Sequence, residues 1–137
     1  MNVLTGINHL TLAVRDLNRS IVFYADLLGL TVRMQGPSSA YLEGGTLWLA
    51  LVVDSAVRSG PLPEYTHVAF SISASDLPAL AAKLTNAGVI CWQDTGRVDS
   101  FYFLDPDGHK LELHTGDLAS RLGDRTATND PAVVKHL

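Results

Sequence analysis

Cysteine is almost missing: Cys91 stands alone, so no disulfide can close within the chain. No apolar run approaches the roughly 20 residues that a membrane-spanning helix needs, and the first residues lack a basic stretch followed by a long apolar one. A reducing cytoplasm is therefore the expected compartment. Positive charge is sparse as well. Ten lysines and arginines lie scattered among fourteen acidic residues, a formal net charge of −4, which leaves no footprint for nucleic acid or an anionic membrane. What remains suffices for a core, because 137 residues that are 47% hydrophobic and 18% charged fit one compact domain. No low-complexity segment appears before a polar tail that starts after about Leu122.

Within that domain the sequence repeats itself. Ile7-Asn8-His9-Leu10-Thr11 leads through Asp16-Leu17 and an apolar-periodic stretch to Leu28-Gly29-Leu30; Tyr65-Thr66-His67-Val68-Ala69 leads through Asp76-Leu77 and a similar stretch to Ala87-Gly88-Val89. Such self-similarity means one structural unit used twice. Residues 7–14 alternate as a strand, with Leu10, Leu12 and Val14 on one face and His9 and Thr11 on the other. Asp16 can cap a helix in which Leu17, Ile21, Tyr24 and Leu28 recur, with Gly29 as its stop. Strands over 30–35, 39–43 and 46–53 follow, parted by Gly36-Pro37 and Gly44-Gly45 turns. The second unit repeats the order: a strand near 65–72, a helix from Asp76 to Ala87, and strands near 90–93, 100–104 and 110–114. Asp105-Pro106-Asp107-Gly108 makes its last hairpin.

The expected fold is therefore α+β, with two βαβββ modules forming curled mixed sheets and helices on the outside. One domain spans 1–137: module one at about 4–58, a Gly60-Pro61-Leu62-Pro63 linker within about 59–64, module two at about 65–116, and a helix and tail over 117–137.

Alternation then places the chemistry. Val68 and Phe70 take the apolar face of their strand, which leaves His67 on the other. Leu111 and Leu113 flank Glu112, so Glu112 shares the less greasy face with Lys110 and His114. A lone histidine on a strand is more often a hydrogen-bonding residue than a ligand. Two at equivalent places, with an inward glutamate, bring the metal reading level with that one. His9, His67 and Glu112 suit a borderline divalent ion such as Mn²⁺, Fe²⁺, Co²⁺, Ni²⁺ or Zn²⁺. Aligning Leu47-Trp48-Leu49 with Leu111-Glu112-Leu113 puts Trp48 where the repeat would supply a second carboxylate. Three protein ligands leave coordination positions open, as catalytic sites do. His109 and His136 read as solvated, His114 stays unassigned, Tyr41 and Trp48 read as core or rim aromatics, Arg121 as a surface cation, and Cys91 as a buried small side chain.

Seven motifs in order carry a resemblance: Leu-Thr-Gly-Ile-Asn-His9-Leu-Thr11, Ala-Tyr41-Leu-Glu, Leu-Trp48-Leu, Tyr-Thr-His67, Asp-Ser100-Phe-Tyr102-Phe-Leu-Asp, Asp-Gly-His-Lys-Leu-Glu112 and Gly-Asp-Leu-Ala-Ser-Arg121-Leu. From about Leu4 to Leu122 the chain resembles the metal-dependent fosfomycin resistance thiol transferases of the vicinal oxygen chelate superfamily, above all the glutathione-using kind. The resemblance implies that His9, His67 and Glu112 hold a metal, usually Mn²⁺, and that glutathione thiolate opens the epoxide of fosfomycin. It assigns the phosphonate to Thr11, Ser100, Tyr102 and Arg121, gives Tyr41 a part in ionising the thiol and Thr11 a catalytic part besides, and makes Trp48 a wall of the drug pocket. It also implies a homodimer in which His9 of one subunit joins His67 and Glu112 of the other. Two departures stand out. Gln93 follows Trp92 where the glutathione-using members carry a lysine, with Arg97 as a substitute charge. The Asp94–Asp99 loop is one residue short and lacks the family serine, which argues against K⁺ activation. The alternatives are a metal-dependent hydrolase of the same epoxide and a non-catalytic drug- or phosphonate-binding protein.

Overall fold

The computed structural model describes residues 2–123 and 130–136. Its first strand, β1, spans Leu10–Val14, with Leu12 and Val14 turned into the core. It starts later than the alternation from Ile7 suggests, so His9 lies one residue ahead of it. Asp16 caps the following helix α1, Leu17–Ile21, by accepting from the Arg19 N–H. From there the backbone departs from expectation: Val22–Leu27 is π-helical, closed by a Leu28 N–H to Phe23 C=O bond of 3.1 Å. Within this segment Phe23 and Tyr24 are both buried. Gly29, at φ +81°, ends the segment as expected.

Strands β2 (Thr31–Gln35), β3 (Ser39–Gly44) and β4 (Leu47–Val53) complete a four-stranded sheet of order β1-β4-β3-β2, in which β1 runs parallel to β4 and the other pairs are antiparallel. In the second unit β5 (Val68–Ser71), helix α2 (Leu77–Asn86), β6 (Ser100–Leu104) and β7 (Lys110–His114) give a three-stranded sheet of order β5-β7-β6, with β5 parallel to β7. A short helix α3, Leu118–Gly123, follows. The strand expected near 90–93 does not form. Its stretch runs beside β6 with one isolated Gln93–Tyr102 bridge and a Leu104 N–H to Ile90 C=O bond, too few contacts for a ladder. Among the described residues no helix is long and apolar enough to cross a membrane.

The ladders also correct the internal alignment. Thr11 pairs with Ala50, which pairs with Tyr41; Ala69 pairs with Glu112, which pairs with Tyr102. With His9 and His67 equivalent, the counterpart of Glu112 is Ala50, and Trp48 lies two residues away on the same face. The flanking leucines misled because the hairpin joining β3 to β4 is shorter than the one joining β6 to β7.

That second hairpin joins the two units. Asp107 is buried and accepts from the Arg15 N–H, Arg19 Nη2 and the Ser20 hydroxyl, while the buried Tyr24 hydroxyl donates to Asp105 at 2.7 Å. His109 was expected in solvent. It is half-buried instead, with Nε2 at 2.7 Å from the Ala13 carbonyl and Nδ1 at 2.9 Å from Arg58. Gly108 has φ +81°, and a Cβ there would run into the backbone of Gly60, so linker and hairpin approach as only glycine permits. His136 is exposed, as expected; Cys91 is exposed rather than buried. Of the tail expected from residue 123 onward, 124–129 and 137 lie outside the described residues.

Candidate metal centre

Each sheet presents one face on which the sequence-derived candidates gather. On the second, the 69–112 and 102–112 pairings align Ala69, Glu112 and Tyr102 in a row, with Ser71, His114 and Ser100 in the next. His67, immediately before β5, reaches over this face, and its Nε2 lies 3.1 Å from Glu112 Oε1. Glu112 is buried. Its other oxygen accepts from the Ser100 hydroxyl at 2.9 Å and lies 3.3 Å from His114 Nδ1. Three aromatic rings surround His67: Tyr65 at 5.1 Å, Trp92 at 5.3 Å and Tyr102 at 6.1 Å between centroids. Trp92 is itself fixed by an Nε1–H bond to the Leu111 carbonyl.

The tautomer of His67 follows from its partners. Nδ1 faces the Tyr65 carbonyl at 2.9 Å, which can only accept, so Nδ1 carries a proton. In neutral histidine, Nε2 then points a lone pair at a carboxylate oxygen. Two acceptors aimed at one another at this range need a cation between them or a proton on the imidazole. The donor set fits a metal ion on that ground. His9 has the same arrangement: Nδ1 is 2.7 Å from Asn8 Oδ1, which leaves Nε2 outward.

His9 belongs to the first sheet. Its ring packs at 4.3 Å on Trp48, and Trp48 meets Tyr41 edge-on at 5.3 Å; Thr11, Ala50 and Tyr41 form a row beside them. His9, Tyr41, Trp48 and Thr11 are all exposed on this face. His9 and His67 both line a cleft of about 810 Å³. Among the described residues, however, no three histidine, cysteine, aspartate or glutamate side chains lie close enough together to hold one ion. The structure therefore joins His67 with Glu112, Ser100 and Tyr102 on the second sheet, and gathers His9, Thr11, Tyr41 and Trp48 on the first. Arg121 lies on the exposed α3.

Residues singled out by departures also find places. Gln93 donates to the Tyr65 hydroxyl at 2.9 Å. Arg97 grips Asp99 with Nε at 3.0 Å and Nη2 at 2.8 Å, and these hydrogen bonds hold the Asp99 carboxyl below its usual range. Sequence reasoning missed Tyr65 and Trp92, whose signal is only their spacing around His67, and left His114 without a role.

The family model described as "Glyoxalase/Bleomycin resistance protein/Dioxygenase superfamily" matches residues 6–113. A glutathione transferase, FosA, of Serratia marcescens is 50% identical over 88% of this chain and 87% of its own length. A metallothiol transferase, FosB, of Lysinibacillus sphaericus is 40% identical over 85% of this chain and 86% of its own. Among solved structures, the fosfomycin resistance protein FosX of Listeria monocytogenes, complexed with Mn(II) and sulfate, superposes with a TM-score of 0.76 at 26% identity, covering 88% of this chain and 98% of that one.

Proposed function

The chain belongs to the glyoxalase/bleomycin resistance protein/dioxygenase superfamily, and from that membership we propose that it is a metal-dependent transferase that opens the epoxide of fosfomycin by adding glutathione, and so confers resistance. The observation that carries this reading is the His67–Glu112 pair, two acceptors facing one another at 3.1 Å in a chain half identical to a glutathione transferase. His9, His67 and Glu112 would hold the ion, with Mn²⁺ the proposed metal in keeping with the FosX complex. Once bound, the ion would supply Lewis-acid polarisation of the epoxide oxygen.

The remaining side chains bind and orient. Thr11 and Tyr102 offer hydroxyls to the phosphonate and Arg121 a guanidinium, whose planar fork matches such an anion. Ser100, expected beside them, directs its hydroxyl at Glu112. Trp48 walls the pocket, and Tyr41, edge-on to it, would help to ionise the thiol. Addition is favoured over hydrolysis because Ser39-Ala40 ahead of Tyr41 offers no carboxylate to activate water.

A second copy of the chain completes the site in this reading. β1 and β5 are sheet edges, each paired on one side only, and His9 stands apart from the other two ligands within one chain. His9 of one subunit would join His67 and Glu112 of the partner subunit in a homodimer of exchanged modules, each chain forming one domain of two modules. Mass spectrometry of fosfomycin treated with protein, Mn²⁺ and glutathione tests the function. A glutathione adduct is expected. A diol formed without thiol would put hydrolysis in its place, and unreacted drug would leave only binding.

A further inference from the structure

Ser100, His114 and Glu112 form a closed polar group at the back of the candidate centre. The Ser100 oxygen is 2.9 Å from Glu112 Oε2 and 2.8 Å from His114 Nδ1, and Nδ1 is 3.3 Å from the same carboxylate oxygen. The proton count is settled by chemistry. A carboxylate only accepts, so the single Ser100 proton goes to Glu112; the serine lone pairs then need a donor, and His114 Nδ1–H is the one at hand. The chain of donation runs His114 to Ser100 to Glu112. Strand pairing supports it, since Ser100 and His114 are direct partners one row along from Tyr102 and Glu112. Gly116 lets the backbone close over the other ring nitrogen, where a Cβ would stand 3.0 Å from Nε2.

The first unit provides an internal control. Its counterparts of Ser100, His114 and Glu112 are Ser39, Val52 and Ala50. The serine recurs without a carboxylate to orient, and there the imidazole is replaced by a valine. The histidine occurs only where the ligand does.

We infer that His114 is a positioning residue that, through the Ser100 hydroxyl, fixes the Glu112 carboxylate for metal binding, and that Ser100 serves the ligand rather than donating to the phosphonate. This rests on the proposed metal centre. Outer partners of metal ligands of this kind are worth about tenfold to a hundredfold in metal affinity.

The test is Mn²⁺ binding by the metal-free full-length protein, read from loss of the free-ion electron paramagnetic resonance signal, with KM for fosfomycin measured alongside. His114→Ala and Ser100→Ala should each weaken Mn²⁺ binding by about tenfold or more, and the double variant should be no weaker than Ser100→Ala alone, because the effect passes through one hydroxyl. His114→Asn, whose amide can stand at Nδ1, should restore binding; His114→Gln, whose amide reaches towards Nε2, should not. If His114→Ala does not fold, the Asn–Gln pair carries the comparison, and equal affinities overturn the inference. Wild-type Mn²⁺ affinity in Ser100→Ala with only a raised KM would also overturn it, making the serine a substrate contact. Glu112→Ala separates the two levels. If it binds Mn²⁺ as wild type does, the metal-centre reading falls and this inference with it; if it alone is impaired, only the inference falls.

Discussion

Single side chains carry most of the chemistry, and each is held by an identifiable partner. His9 and His67 commit Nδ1 to a neighbouring oxygen and leave Nε2 as the atom that would ligate in the proposed centre. Away from the centre, Tyr24 is fully buried with its hydroxyl on Asp105. Burial first, and then the Asp105 carboxylate, push the Tyr24 hydroxyl well above the usual tyrosine range. The fold thus favours the neutral phenol. Its contribution is complete below the unfolded value of about 10 and is lost as pH rises beyond that towards the raised folded value. Denaturant melts across this alkaline window should show a steep fall in stability for the wild type. In Tyr24→Phe the fall should be shallower, and identical slopes would remove Tyr24 from the account.

At the scale of elements, the hairpin between β6 and β7 has two tasks: it carries Glu112 on its outgoing strand and docks the second unit on α1 and the π-helical segment after it through Asp107 and Asp105. Gly108 permits the docking. Gly108→Ala should cost about 1–3 kcal/mol from the left-handed backbone alone, with more from the contact with Gly60, and should lower the thermal midpoint. An unchanged midpoint would mean that linker and hairpin separate readily. Much of this scale was legible beforehand. The Asp16 cap, the Gly29 stop, both sheets' hairpins and the faces of His67 and Glu112 follow from alternation and capping, which are local. The misses are tertiary. The π-helical turn leaves no mark in the apolar spacing, and the 90–93 stretch fails as a strand because only isolated bonds tie it to β6. Trp48 was matched to Glu112 because two hairpins of unequal length look alike when aligned by leucines. His109 and Asp107 acquire burial only once residues 51 or more positions distant arrive.

For the whole molecule, the repeated unit explains why the proposed ligand set is divided. Neither unit contains all three proposed ligands, and within one chain the described residues bring only His67 and Glu112 of them together. An exchanged homodimer makes a sharp prediction. Co-refolding His9→Ala chains with Glu112→Ala chains gives mixed dimers in which one site has every ligand intact, so random mixing should recover about a quarter of wild-type adduct formation. If each chain builds its own site, the mixture stays as inactive as either variant. The claim beneath all of this is that a metal held through Glu112 enables glutathione to open fosfomycin. Phosphorus NMR of fosfomycin with Mn²⁺-loaded protein tests it most directly, with and without glutathione and beside a Glu112→Ala control. A new adduct resonance that requires glutathione, metal and Glu112 is the predicted result; an unchanged spectrum with wild-type protein, or the same adduct from Glu112→Ala, would contradict it.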